Sequence, residues 1–160
     1  GWPGESAGGL ASRRSGALSG SSDPLVRRYL FAEPRVALGR ALRGRATAAM
    51  DVSDGLLGDL GKLCAASGAG VRLDLDRLPI SVELARRHSP QQCEQFVLCG
   101  GDDYELLFTV PPVGSEQVEA ELAQSFALRR IGVIEAGAGV RCMRDGSAVT
   151  VSGGGYDHFA

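Results

Sequence analysis

Apolar residues recur along this chain at two spacings, and the alternation between them predicts a succession of helices and strands. In residues 5 to 18 the small residues Ala7, Gly8, Gly9, Leu10 and Ala11 form a weak helical stretch, which the Ser/Gly cluster at 19 to 22 ends. Asp23 is placed to cap a second helix with Pro24 at its first position. Leu25, Val26, Tyr29 and Leu30 share one face of it, leaving Arg27 and Arg28 to solvent. Val36, Leu38, Ala41 and Leu42 predict another short helix that closes at Gly44. Residues 46–50 read as the end of a buried strand. Leu56, Leu57, Leu60, Leu63 and Cys64 then repeat at helical spacing through Ser67, and residues 71–75 alternate as a strand. Strand, helix, strand has the form of a right-handed crossover unit if the two strands are parallel.

Further on, Ser81 and Ser89-Pro90 open two short helices, with His88 at the end of the first, where an imidazole meets the C-terminal carbonyls. Residues 99–110 join a glycine-rich acidic loop to an apolar strand, which Pro111 and Pro112 end. Ser115 is expected to cap an amphipathic helix carrying Val118, Leu122 and Phe126. Short strands follow near 128–134, 139–143 and 147–151, with Asp145-Gly146 as a hairpin turn between the last two. The mixture predicts an α/β (α+β) domain in which a mixed β-sheet is covered by helices.

Composition narrows the class. A chain of 160 residues, 44% hydrophobic and 22% charged, suits a single domain over 1–160. The net charge of -2 offers no global basic field for nucleic acid or an anionic membrane. The arginines around residues 27 to 45 read as an ordinary solvated helix face. Apolar runs fall short of the roughly 18 residues of a membrane span, so a soluble, cytoplasmic protein is expected. Cys64, Cys93, Cys99 and Cys142 include no C-x-x-C pair and no zinc-finger spacing to histidine, and Cys64 on an apolar helix face and Cys142 in a strand-like run sit where free buried thiols usually lie, which fits a reducing compartment. The start at Gly1, without an initiator methionine, reads like a loop and helix that follow a strand; a larger protein is expected around this segment.

Candidate chemistry gathers in Met50-Asp51-Val52-Ser53-Asp54-Gly55-Leu56, a strand-to-helix turn with two carboxylates and a hydroxyl. Carboxylates this close repel unless a cation or protons lie between them, and oxygen-only ligands suit Mg²⁺ bound together with substrate phosphates. A helix cap at Ser53 or Asp54 accounts for one of the three residues and leaves the other two unexplained. Both readings stand on spacing alone. Gly58 and Gly61 weaken the following helix by about 1 kcal/mol each relative to alanine, which calls for close approach by a ligand or a packed neighbour. The second stretch, Gly100-Gly101-Asp102-Asp103-Tyr104-Glu105-Leu106-Leu107-Phe108, reads either as a ligand loop or as a turn with solvated acids. The tail Gly153-Gly154-Gly155-Tyr156-Asp157-His158-Phe159 ends the chain on aromatics.

Together, Met-Asp-Val-Ser-Asp-Gly-Leu, Gly-Gly-Asp-Asp-Tyr-Glu-Leu-Leu-Phe and Gly-Tyr-Asp-His-Phe, in this order, resemble the C-terminal half of the thiamine-monophosphate kinase family. That family belongs to a wider group with aminoimidazole ribonucleotide synthetase. The resemblance implies Mg²⁺-dependent transfer of the γ-phosphoryl group of ATP onto thiamine monophosphate, giving thiamine diphosphate. It implies that Asp51 and Asp54 bind Mg²⁺, that Ser53 contacts the nucleotide phosphates, and that Asp102, where the family usually has Glu, and Tyr156 contact the thiamine moiety. It further implies that the nucleotide-binding N-terminal domain is absent from these residues, that they are inactive alone, and that the whole protein is a homodimer. The absence of a Walker glycine loop is consistent with a kinase of another architecture. Another ATP-dependent member of the wider group, or a non-catalytic binding domain of this fold, are the alternatives.

Overall fold

In the computed structural model, residues 1–16 and 22–151 are described. Seven α-helices and six strands occur among them, in the order α1 (Glu5–Arg14), α2 (Pro24–Leu30), α3 (Val36–Ala41), β1 (Ala48–Val52), α4 (Leu56–Ser67), β2 (Gly70–Asp74), α5 (Val82–Arg87), α6 (Pro90–Cys99), β3 (Glu105–Thr109), α7 (Ser115–Ala123), β4 (Gly132–Glu135), β5 (Gly139–Arg144) and β6 (Ser147–Val149). A 3-10 turn at Leu75–Arg77 follows β2.

The strands form two sheets. β1 pairs antiparallel with β3, setting Asp51 opposite Leu106 and Val52 opposite Glu105. The other sheet has the order β4-β2-β5-β6, in which β2 and β5 are parallel and the remaining pairs antiparallel. The expected mixed sheet covered by helices is therefore present. The expected crossover between residues 46 and 75 is not: β1 and β2 lie in different sheets, so α4 leads from one sheet to the other. Its apolar stripe, Leu56, Leu60 and Cys64, is buried with Val52, Val71, Leu73, Leu107 and Cys142 in one core. A smaller cluster joins Leu38 and Leu42 to Leu122. Burying each such aliphatic side chain contributes roughly 1.5–3 kcal/mol.

Local sequence accounts for most helix ends. The Asp23 carboxylate accepts the Leu25 and Val26 amides, and Ser89 forms a reciprocal capping box with Gln92 ahead of Pro90. At the β5–β6 turn Asp145 and Gly146 both have positive φ, 48° and 76°, as a two-residue type I′ hairpin requires. Three expected ends differ. α7 is preceded by Gly114 in the left-handed region, with Ser115 already helical. α4 starts after Gly55, capped by neither Ser53 nor Asp54. His88 follows α5, but its imidazole packs edge-on against the Phe96 ring at 5.0 Å rather than reaching a carbonyl.

Candidate functional site

The first acidic stretch lies where β1 ends. Asp51 is the fourth of its five residues and is exposed, while Ser53 and Asp54 are half-buried in the turn before α4. The turn is shaped from within α4. Asp59, 1% exposed at its side chain, accepts the Ser53 amide at 2.8 Å and the Asp54 amide at 2.9 Å on one oxygen. Its other oxygen accepts Lys62 Nζ at 2.8 Å, and the same ammonium reaches Asp54 Oδ2 at 2.5 Å. Hydrogen bonds first to Asp54 and then to Asp59 raise the Lys62 pKa. A buried carboxylate with charged and amide donors on both oxygens is fully satisfied.

The second stretch is stitched to the first. The Asp102 amide donates to Ser53 O at 2.9 Å and the Tyr104 amide to Val52 O at 2.8 Å. This approach needs glycine twice. A Cβ on Gly101 would lie 2.5 Å from Ser53 O, and one on Gly55, whose φ is +99°, would lie 2.8 Å from the Cys99 backbone. Asp102 and Tyr104 themselves have positive φ, 63° and 53°; aspartate tolerates this region, whereas a tyrosine there is strained. Tyr104 Oη donates to Asp102 Oδ1 at 3.3 Å. The charge of Asp102, then burial, and further the charges of Asp51 and Asp54 raise the phenol pKa, so all three aspartates lie within electrostatic reach of one ring. Asp102 is exposed.

Asp103 and Glu105 of the same loop point the other way, and reading them as solvated acids is corrected. Asp103 accepts the Gly4 amide at 2.6 Å and the Ser6 amide at 3.1 Å, capping α1, whose own flank supplies no side-chain cap. Burial pushes the Asp103 carboxyl up to about 7 against these two hydrogen bonds. Glu105 receives Arg35 through Nε at 2.9 Å and Nη2 at 2.6 Å, and Arg28 Nη2 at 2.8 Å. Burial alone would raise the Glu105 pKa, but the Arg35 hydrogen bond and the neighbouring positive charges hold it below the ordinary carboxylate value. Arg28, expected in solvent, is thus a largely buried ion-pair partner, 12% exposed at its side chain.

A cavity of about 310 Å³ opens beside these elements, lined by apolar side chains such as Leu56, Leu73, Leu107 and Ile131 and by none of Asp51, Ser53, Asp54 or Asp102. The candidate chemistry lies outside it. Among the described residues no three acidic, histidine or cysteine side chains form a metal cluster. The turn still fits a hard cation: its donors are oxygen only, and Lys62 already places positive charge on Asp54. Tyr156 lies outside the described residues. The sequence reading missed Asp59, Asp103, Glu105, Arg28 and Arg35. Asp59 falls three positions after Leu56 and four before Leu63, at the helical spacing of the buried stripe, and that is the signal that could have found it.

An acidic strand-to-helix turn locked to a glycine-rich acidic loop, in a domain of two sheets flanked by helices, defines a class. The family model for AIR synthase related protein, C-terminal domain, matches residues 3–145, and the chain belongs to that family. Within it, the chain is similar to thiamine-monophosphate kinases. It is 42% identical to that of Escherichia coli K12 over 165 residues, covering 100% of this chain and 51% of the relative. The crystal structure of thiamine-monophosphate kinase from Stenotrophomonas maltophilia K279a matches with a TM-score of 0.82 at 39% identity, over 93% of this chain and 49% of that one. AaThiL complexed with AMPPCP and TMP matches at 0.79 and 30% identity, over 99% and 49%. The chain spans about half the length of the curated relatives it matches first. No helix among the described residues is long and apolar enough to cross a membrane.

Proposed function

We propose that the protein containing this chain transfers the γ-phosphoryl group of ATP to the phosphate of thiamine monophosphate, giving thiamine diphosphate, and that these 160 residues are its C-terminal, substrate-side domain. The observation that carries the reading is the joining of the two motifs: Asp102 and Tyr104 are hydrogen-bonded through their amides to the backbone of residues 52 and 53. A metal-and-phosphate wall and a substrate wall then share one rigid base. The likeness to a structure complexed with AMPPCP and TMP supports the same assignment.

In this reading Asp51 and Asp54 would hold Mg²⁺, for which their oxygen donors are suited. Held there, it would supply positive charge to offset that of the phosphates. Asp59 fixes the turn, and because it takes the Ser53 amide, Ser53 meets the nucleotide phosphates through its hydroxyl. Asp102 contacts the thiamine part of the substrate, and Tyr156 packs on its rings, where a partly cationic flat ligand gains from an aromatic face. The chain's own groups align reactants and balance charge, which is most of what phosphoryl transfer asks of a protein. The nucleotide-binding N-terminal domain completes the site, so these residues alone are inactive, and the whole protein works as a cytoplasmic homodimer.

The test is an assay of the full-length protein with ATP, thiamine monophosphate and Mg²⁺. Thiamine diphosphate and ADP formed in equal amounts are expected. Unchanged thiamine monophosphate with intact ATP overturns the proposal.

A further inference from the structure

We infer that Lys62 is a resident counter-cation of the acidic turn, which holds Asp54 until a divalent ion takes it and thereby sets how much of that ion the site requires. The inference rests on the metal role proposed for Asp54. Lys62 is the only lysine of the chain. One turn along α4 from Asp59, its ammonium bridges Asp54 at 2.5 Å and Asp59 at 2.8 Å. The two contacts differ in kind. Asp59 is 1% exposed and committed to the Ser53 and Asp54 amides, so it cannot turn toward a ligand without leaving them unpaired. Asp54 is 24% exposed and Lys62 55% exposed, so that pair opens to water at little cost.

The bridge supplies what two nearby carboxylates need while no metal is present: positive charge that offsets the repulsion between Asp54 and Asp59 and keeps the turn in shape. A divalent ion arriving at Asp54 displaces the ammonium from that carboxylate. Lys62 stays tethered to Asp59 and remains a nearby positive charge that the ion must also tolerate. Both effects weaken metal binding, and a surface pair of this kind is worth about two- to fivefold in affinity.

Mn²⁺ titration of the isotope-labelled protein, followed by paramagnetic broadening of the Ser53, Asp54 and Gly55 amide signals, tests this directly. Lys62→Met is expected to move the midpoint to about two- to fivefold lower Mn²⁺. Lys62→Arg, which keeps the charge, is expected to stay within about twofold of the parent. The difference between parent and Lys62→Met should shrink at high salt. Equal midpoints for parent and Lys62→Met, with broadening at the turn in both, overturn the counter-cation role and leave the metal reading standing. Broadening absent from the turn in both proteins overturns the two together.

Discussion

Two acidic groups only a few residues apart in space meet opposite fates. At the end of β1, Asp51 is exposed and Asp54 half-buried, and the exposed Lys62 ammonium bonds Asp54. At the start of β3, Glu105 is buried and clamped by Arg28 and Arg35, while Asp103 beside it caps α1. Val52 and Glu105 are register partners, so a single strand pair carries both groups. The difference teaches that carboxylate density alone does not mark a site. A carboxylate whose oxygens are taken by arginines and amides has no capacity left for a ligand, whereas one bonded by an exposed ammonium can exchange it for another cation.

Removing the clamp is the largest stability effect expected. Glu105→Gln leaves two guanidinium groups without their carboxylate and should lower unfolding free energy by about 3 kcal/mol in urea denaturation. A loss below about 1 kcal/mol would place Glu105 among surface pairs and erase the contrast. The titrations of the two neighbouring acids should differ in sign. Carboxyl-carbon NMR should give Asp103 a midpoint near 7 and Glu105 one below 4.5. For Asp103, raised by burial, the linked stability is complete below its ordinary range and is lost as pH rises through 7. For Glu105 it is complete above the ordinary range and is lost as pH falls through its lowered midpoint. A midpoint near 4 for Asp103 together with one at or above 4.5 for Glu105 would mean that neither acid is held as described. The smallest effect belongs to Gly61 on α4, where an added Cβ meets nothing within 4 Å. Gly61→Ala should stabilise this chain by about 0.5–1 kcal/mol. A destabilised variant would show that something packs closely on that face.

What the sequence makes legible here follows range. Asp23-Pro24, Ser89-Pro90 and Asp145-Gly146 carry their own local physics, and the caps and the hairpin turn form where the residue types predict. Asp51, Ser53, Asp54 and Asp102 are visible as motifs, and the backbone bonds between their loops bring them to one place. The misses are long-range. Nothing near Arg28 announces that Glu105, 77 positions away, will bury it, and the helical period alone puts it in water. Asp103 is invisible as the cap of α1 because the helix lies 97 residues upstream. The crossover expected for residues 46–75 fails because strand periodicity does not say which sheet a strand will join.

The claim that organises the rest is that Asp51 is a metal ligand rather than a solvated acid of the turn. Asp51→Cys in the full-length protein addresses it directly, since a thiolate exchanges preference for Mg²⁺ for softer ions and the exposed position spares the core. Turnover of ATP and thiamine monophosphate should fall at least about a hundredfold with Mg²⁺ and recover in part when Cd²⁺ is supplied. Parental turnover of Asp51→Cys with Mg²⁺ would contradict the account.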